Sequence, residues 1–127
     1  MKRGNRRSMV LVVDDAVDTR ARLCRLIEES SGVGAVGCGV ERAEVLHLCG
    51  VIRPRCVVID VPTNDSSGLD LLAAIGLLEG MPIVVLTNQQ SEELQHRCSE
   101  LGAVHFLSKS TEFERAAGLV RSLALQS

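Results

Sequence analysis

The sequence predicts an α/β fold, a parallel sheet with helices on both of its faces. Two observations carry this expectation. Met9 to Val13, Cys56 to Ile59 and Ile83 to Leu86 are continuous apolar runs, the pattern of strands buried on both sides. Between such runs lie stretches of helical period, so that strand and helix alternate five times. Crossovers between parallel strands are right-handed, which leaves few topologies.

The elements follow in order. Met9 to Val13 ends in Asp14 and Asp15. Asp18 to Ser30 predicts a helix with Leu23, Leu26 and Ile27 on one face and arginines on the other, stopped by Gly32. Val33 to Val40 is a weak, glycine-rich strand, and Glu41 to Cys49 a short helix broken by Arg53-Pro54. Cys56 to Ile59 ends in Asp60. The polar loop Val61 to Gly68 leads to a helix carrying Leu69, Leu72, Ile75 and Leu78. Ile83 to Leu86 ends at Thr87. Ser91, followed by Glu92 and Glu93, caps a helix with Leu94, Cys98 and Leu101 on its apolar stripe, ended by Gly102. Val104 to Leu107 is the last strand, followed by Ser108 and Lys109. Thr111 and Glu114 predict a capping box for a final helix lined by Phe113, Ala117, Val120 and Ala124.

Composition limits what such a fold does. The chain has 127 residues, enough for one domain with its own core. Aromatics are 2% and Trp and Tyr are absent, so the core rests on aliphatic side chains and base stacking on aromatics is nearly excluded. Lys2, Arg3, Arg6 and Arg7 form a basic tail over residues 1–8, read as flexible and solvated, ahead of a domain over 9–127. The whole chain carries −2, so removing those four charges leaves −6 for the remainder. No direct binding of nucleic acid by this domain is expected. No apolar run approaches the ~18 residues of a membrane span, and no secretory signal opens the chain, so a cytoplasmic protein with no membrane partner is expected. Cys24, Cys38, Cys49, Cys56 and Cys98 are odd in number and lack a C-x-x-C, which argues for buried thiols rather than disulfides or zinc. His47, His96 and His105 show no ligand spacing with them.

A parallel sheet brings the carboxyl ends of its strands to one edge, where open α/β sheets bind their ligands. Asp14, Asp15, Asp60, Thr87 and Lys109 therefore converge. Three neighbouring carboxylates repel unless a cation relieves them. An all-oxygen donor set suits Mg²⁺. Lys109 and Thr87 would meet phosphate oxygens, and a carboxylate would attack phosphorus.

Over Met9 to Leu125 the chain resembles the receiver domain of bacterial response regulators, in the stretches VLVVDDAVDTRARL, CVVIDVPTNDSSGLDLL, PIVVLTNQQ and LGAVHFLSKS. The resemblance implies a flavodoxin-like (βα)₅ fold of strand order 2-1-3-4-5, an order that the general account of doubly wound sheets itself gives for this family. It implies Asp60 as phosphoacceptor, with Asp15 a direct Mg²⁺ ligand, Asp14 acting through water, and the Pro62 carbonyl completing the metal set. It implies Thr87 as the switch hydroxyl, Phe106 as the aromatic switch, Lys109 as the phosphate-binding lysine and Gly68 as the glycine closing the loop after the acceptor. The implied partners are a histidine kinase or histidine phosphotransfer protein, and a downstream protein target or a lost output domain. A homodimer through the fourth helix, fifth strand and fifth helix is also implied. Such a protein is not an enzyme on other substrates; it catalyses only its own phosphorylation and dephosphorylation.

Several positions depart from the family's pattern. Pro62 stands two residues after Asp60, and Asn64 replaces the usual proline four residues after it. Asn88 follows Thr87 where a smaller residue is usual, which predicts slower entry of water or small phosphodonors. Ser110 replaces the proline that commonly follows the lysine, leaving open whether the Lys109–Ser110 bond is cis or trans. Phe106 lacks a phenolic hydroxyl, so any switching there rests on packing. Two rival readings stand beside this one. Gly32 to Gly37 matches G-x-G-x-x-G, but it follows a helix and enters a strand, the reverse of a dinucleotide site. A degenerate receiver that only binds proteins is the other.

Overall fold

The computed structural model describes residues 7–61 and 66–126. Ten elements alternate: β1 (Ser8–Val13), α1 (Val17–Ile27), β2 (Val33–Cys38), α2 (Arg42–Ile52), β3 (Cys56–Ile59), α3 (Ser66–Gly76), β4 (Ile83–Thr87), α4 (Glu92–Glu100), β5 (Ala103–Ser108) and α5 (Phe113–Leu125). The five strands are parallel and lie in the order β2-β1-β3-β4-β5. The flavodoxin-like expectation is met.

The strands are apolar throughout because each face of the sheet meets helices. Leu11, Val13, Val57, Ile59, Ile83 and Val85 pack on one side with Val45, Leu72, Ile75, Leu94 and Cys98 from α2, α3 and α4. Val10, Val12, Val58, Val84 and Leu86 point to the other side, against Leu23 and Ile27 of α1 and Ala117, Val120 and Ala124 of α5. Alternation along each strand therefore feeds two separate cores. Arg22 of α1 stacks over the Phe113 ring, 4.5 Å from its centroid, and ties α1 to α5.

Local chemistry moved several boundaries. β1 begins at Ser8, paired with Val33, so the strand takes one residue from the expected tail; residues 1–6 lie outside the described residues. α1 ends at Ile27, earlier than expected, and Gly32 instead turns the chain into β2 with φ at 88°. α2 runs three residues past Cys49 and closes on Arg53, whose φ of 52° is left-handed. Glu41 caps α2 by accepting from the Glu44 N–H at 2.9 Å. α3 begins at Ser66, so Gly68 sits buried in its first turn rather than closing a loop, and Leu78 falls beyond the helix end. Ser91 caps α4 as expected, accepting from the Leu94 N–H at 3.2 Å.

The capping box at Thr111 and Glu114 does not form. α5 starts at Phe113, and the Glu112 carboxylate turns back to accept from the Ser108 N–H at 2.8 Å. The Thr111 N–H donates to the Ser108 hydroxyl oxygen at 3.3 Å. Ser108 therefore organises this turn, a competition of local side chains for backbone donors. Among the described residues every peptide bond is trans, the Lys109–Ser110 bond included.

Candidate functional site

The site lies at the carboxyl edge of the sheet, and backbone pairing between strands places its residues. The Asp14 N–H donates to the Cys38 carbonyl at 3.1 Å, and the Asp60 N–H to the Val13 carbonyl at 3.1 Å. The Lys109 N–H donates to the Thr87 carbonyl at 2.9 Å. Each residue is thereby held one step beyond its strand by the neighbouring strand.

Lys109 joins the acids. Its Nζ donates to Asp14 Oδ2 at 2.7 Å and to Asp60 Oδ2 at 2.9 Å. The lysine and Asp14 side chains are about one-tenth exposed (10% and 8%), whereas Asp60 keeps 23% and so faces solvent at the rim. Burial alone would lower the Lys109 pKa, but the hydrogen bonds it donates to Asp14 and Asp60, and then their charges, outweigh it and raise the pKa above the ordinary lysine value. The other Asp14 oxygen, Oδ1, accepts the Ala16 N–H at 2.8 Å and fixes the turn into α1.

Thr87 is buried, and its hydroxyl is fully engaged. It donates to the Val61 carbonyl at 3.2 Å and accepts the Gln89 N–H at 3.3 Å. This ties the end of β4 to the residue immediately after Asp60. Asp15 is exposed and stands outside the Lys109 network. Phe106 is half-buried against the core shared with α4. Asn88 is exposed beside Thr87. Pro62 and Asn64 lie outside the described residues.

The structure thus brings together Asp14, Asp60 and Lys109, with Thr87 on the adjoining strand. Asp15 is left at the rim. Among the described residues no three Asp, Glu, His or Cys side chains gather closely enough to form a ready metal cluster.

Arg20 lies with the other arginines on the face of α1 opposite its leucines, and nothing in its spacing singles it out, yet its guanidinium donates to the Asp14 carbonyl at 3.0 Å. The signal was in β2. A Cβ added to Gly37 would fall 2.7 Å from Arg20 Cγ, so the bare glycine backbone makes room for the arginine stem. Part of the misleading glycine run is explained by this approach.

A family profile described as the response regulator receiver domain matches residues 10–121. Transcriptional regulatory protein YdfI of Bacillus subtilis is 30% identical over 105 residues, covering 83% of this chain and 49% of that protein. A protein-glutamate methylesterase/protein-glutamine glutaminase of Clostridium acetobutylicum is 26% identical over 103 residues, covering 79% of this chain and 30% of that protein. The chain therefore spans half or less of the length of these relatives. Among solved structures, the signal receiver domain of the response regulator NarL from Mycobacterium tuberculosis superposes with a TM-score of 0.79 at 21% identity, over 96% of this chain and 99% of the other. The response regulator domain of Thermotoga maritima CheB gives 0.77 at 21% identity, again over 96% and 99%. With the profile spanning nearly all of the sheet and its helices, the chain belongs to the response regulator receiver domains of two-component signalling.

Proposed function

We propose that Asp60 accepts a phosphoryl group from a phosphohistidine of a histidine kinase or phosphotransfer protein. The observation that carries this reading is the Lys109 ammonium held between Asp14 and Asp60, with the Asp60 carboxylate at the solvent rim. An Asp60 oxygen attacks phosphorus, a new O–P bond forms as the N–P bond breaks, and the imidazole leaves. Lys109 already sits within hydrogen-bond reach of the acceptor and would transfer one of its donors to a phosphoryl oxygen. Thr87 would exchange its bond to the Val61 carbonyl for a second phosphoryl oxygen. That exchange frees the segment after Asp60 and draws the end of β4 inward. Phe106 would then repack, and the α4-β5-α5 surface would carry the output to a protein target or output domain.

The donor set fits Mg²⁺. Its donors are oxygens only, and this ion takes one or two carboxylates plus water and phosphate oxygens. Asp15 and Asp60 would hold it, with Asp14 through water and the Pro62 carbonyl. When bound, the ion supplies positive charge to the phosphoryl oxygens and relieves repulsion among the acids. Among the described residues no helix is long and apolar enough to cross a membrane, which accords with a cytoplasmic site of action.

Labelling with acetyl phosphate and Mg²⁺, read as a mass gain, tests the assignment. Wild type should gain one phosphoryl group and Asp60→Asn none. Retained labelling in Asp60→Asn would place the acceptor elsewhere. NMR spectra unchanged by beryllofluoride with Mg²⁺ would instead favour a module that only binds protein.

A further inference from the structure

At the opposite, amino edge of the sheet, a cleft of about 520 Å³ opens between the ends of α2 and α3. Gly50, Arg53, Arg55, Leu78, Glu79 and Met81 line it. Gly50 lies inside helix α2, where glycine is less favourable than alanine. A Cβ built there meets nothing within 4 Å, so packing within the chain gives no reason for the glycine. Its bareness does keep the cleft open. Leu78, in the lining itself, is 38% exposed.

Charge selects the occupant. Arg53 and Arg55 line the cleft with a single acid, Glu79, and both also line an adjoining groove with Arg7, whose guanidinium lies 3.9 Å from the Glu28 carboxylate. A second copy of the chain seated on this surface would bring these arginines toward one another, which disfavours self-association. Among the described residues the buried polar side chains Asp14, Thr87 and Ser108 all lie at the other edge of the sheet, so none here would orient a small ligand. Cys49, Leu78 and Met81 give the lining an apolar part beside its charges, the mix that an amphipathic protein segment matches.

We propose that this cleft docks an acidic amphipathic segment of a partner protein, with an apolar side chain over Gly50 and Met81 and carboxylates facing Arg53, Arg55 and Arg7. The surface is independent of the phosphoacceptor and is available in the unphosphorylated protein.

Selection of displayed peptides of about 16 residues, long enough to hold a helix, on the unphosphorylated protein tests this. Enriched peptides should share an apolar anchor flanked by Asp or Glu. Gly50→Leu fills the cleft from a position with open space, and Arg53→Asn removes charge with a residue that tolerates a left-handed backbone. Each should weaken the best peptide by about tenfold or more in fluorescence anisotropy while the thermal midpoint is kept. Absence of enrichment, a consensus without acids, or affinity unchanged in Gly50→Leu overturns the proposal. Concentration-dependent self-association in sedimentation that Gly50→Leu abolishes also overturns it, in favour of a second copy.

Discussion

Lys109 is one cation serving two carboxylates, and this sets its response to pH. Its pKa is raised in the folded protein, so the ion pair's stabilisation is present in full below the ordinary lysine value of 10.5 and is lost as pH rises through the higher folded value. Lys109→Met leaves Asp14 and Asp60 facing each other and should cost roughly 1–3 kcal/mol near neutral pH. In urea unfolding the wild type and this variant should differ most near neutrality and converge in strong alkali; a gap that is flat across the range would show that Lys109 acts through packing. Asn88 is exposed beside Thr87, where it would narrow access to Asp60. Asn88→Ala should speed acetyl-phosphate labelling a few-fold, and equal rates would remove Asn88 as a barrier. The sequence brought Asp14, Asp60, Thr87 and Lys109 to one edge because each closes or directly follows a strand whose register is fixed by burial. It did not reveal that Thr87 spends its hydroxyl on Val61, since that bond depends on how the chain leaves β3. Nor did it reveal Arg20, whose role depends on a glycine in a neighbouring strand.

At the level of elements, glycines in similar helical settings have opposite meanings. Gly76 closes α3 against the end of α4. A Cβ there would collide with the Leu101 carbonyl, and the Gly102 backbone lies just behind. Gly76→Ala should therefore destabilise by roughly 1–3 kcal/mol despite alanine's better helix propensity. Gly50→Ala, in open space, should stabilise by about 0.5–1 kcal/mol. Denaturant midpoints of the two variants, moving in opposite directions, check both statements. Helix starts were legible where a side chain caps its own helix, as at Ser91. At α5 the same reading failed, because the Ser108 hydroxyl took the Thr111 N–H expected for the Glu114 carboxylate, while the Glu112 carboxylate turned to the Ser108 N–H.

The whole molecule is a sheet insulating two cores from each other, and its thiols report how completely. Burial pushes the pKa of the Cys56 thiol, on β3 between β1 and β4, up to about 12, and burial foremost pushes that of Cys38 up to about 11. Cys24 is only half-buried on α1. Alkylation of the native protein near neutral pH, followed peptide by peptide, should mark Cys24 first and Cys56 last, the latter at the rate of global opening. Early labelling of Cys56 would mean that β3 opens locally. The alternation of strand and helix was readable throughout because both faces of the sheet are covered, which leaves runs with no polar position to misplace.

β5 forms one lateral border of that sheet, and it is not regular. Ile83 pairs with Ala103 but Val84 pairs with His105, so Val104 is an extra residue, bulged out and 54% exposed. An open strand border is a template on which other chains can add and polymerise. The bulge interrupts its donor and acceptor row and increases local twist, so an incoming strand finds no straight ladder to join. In a cell that holds many copies of such domains, this one misplaced valine guards the protein against fibril-like stacking.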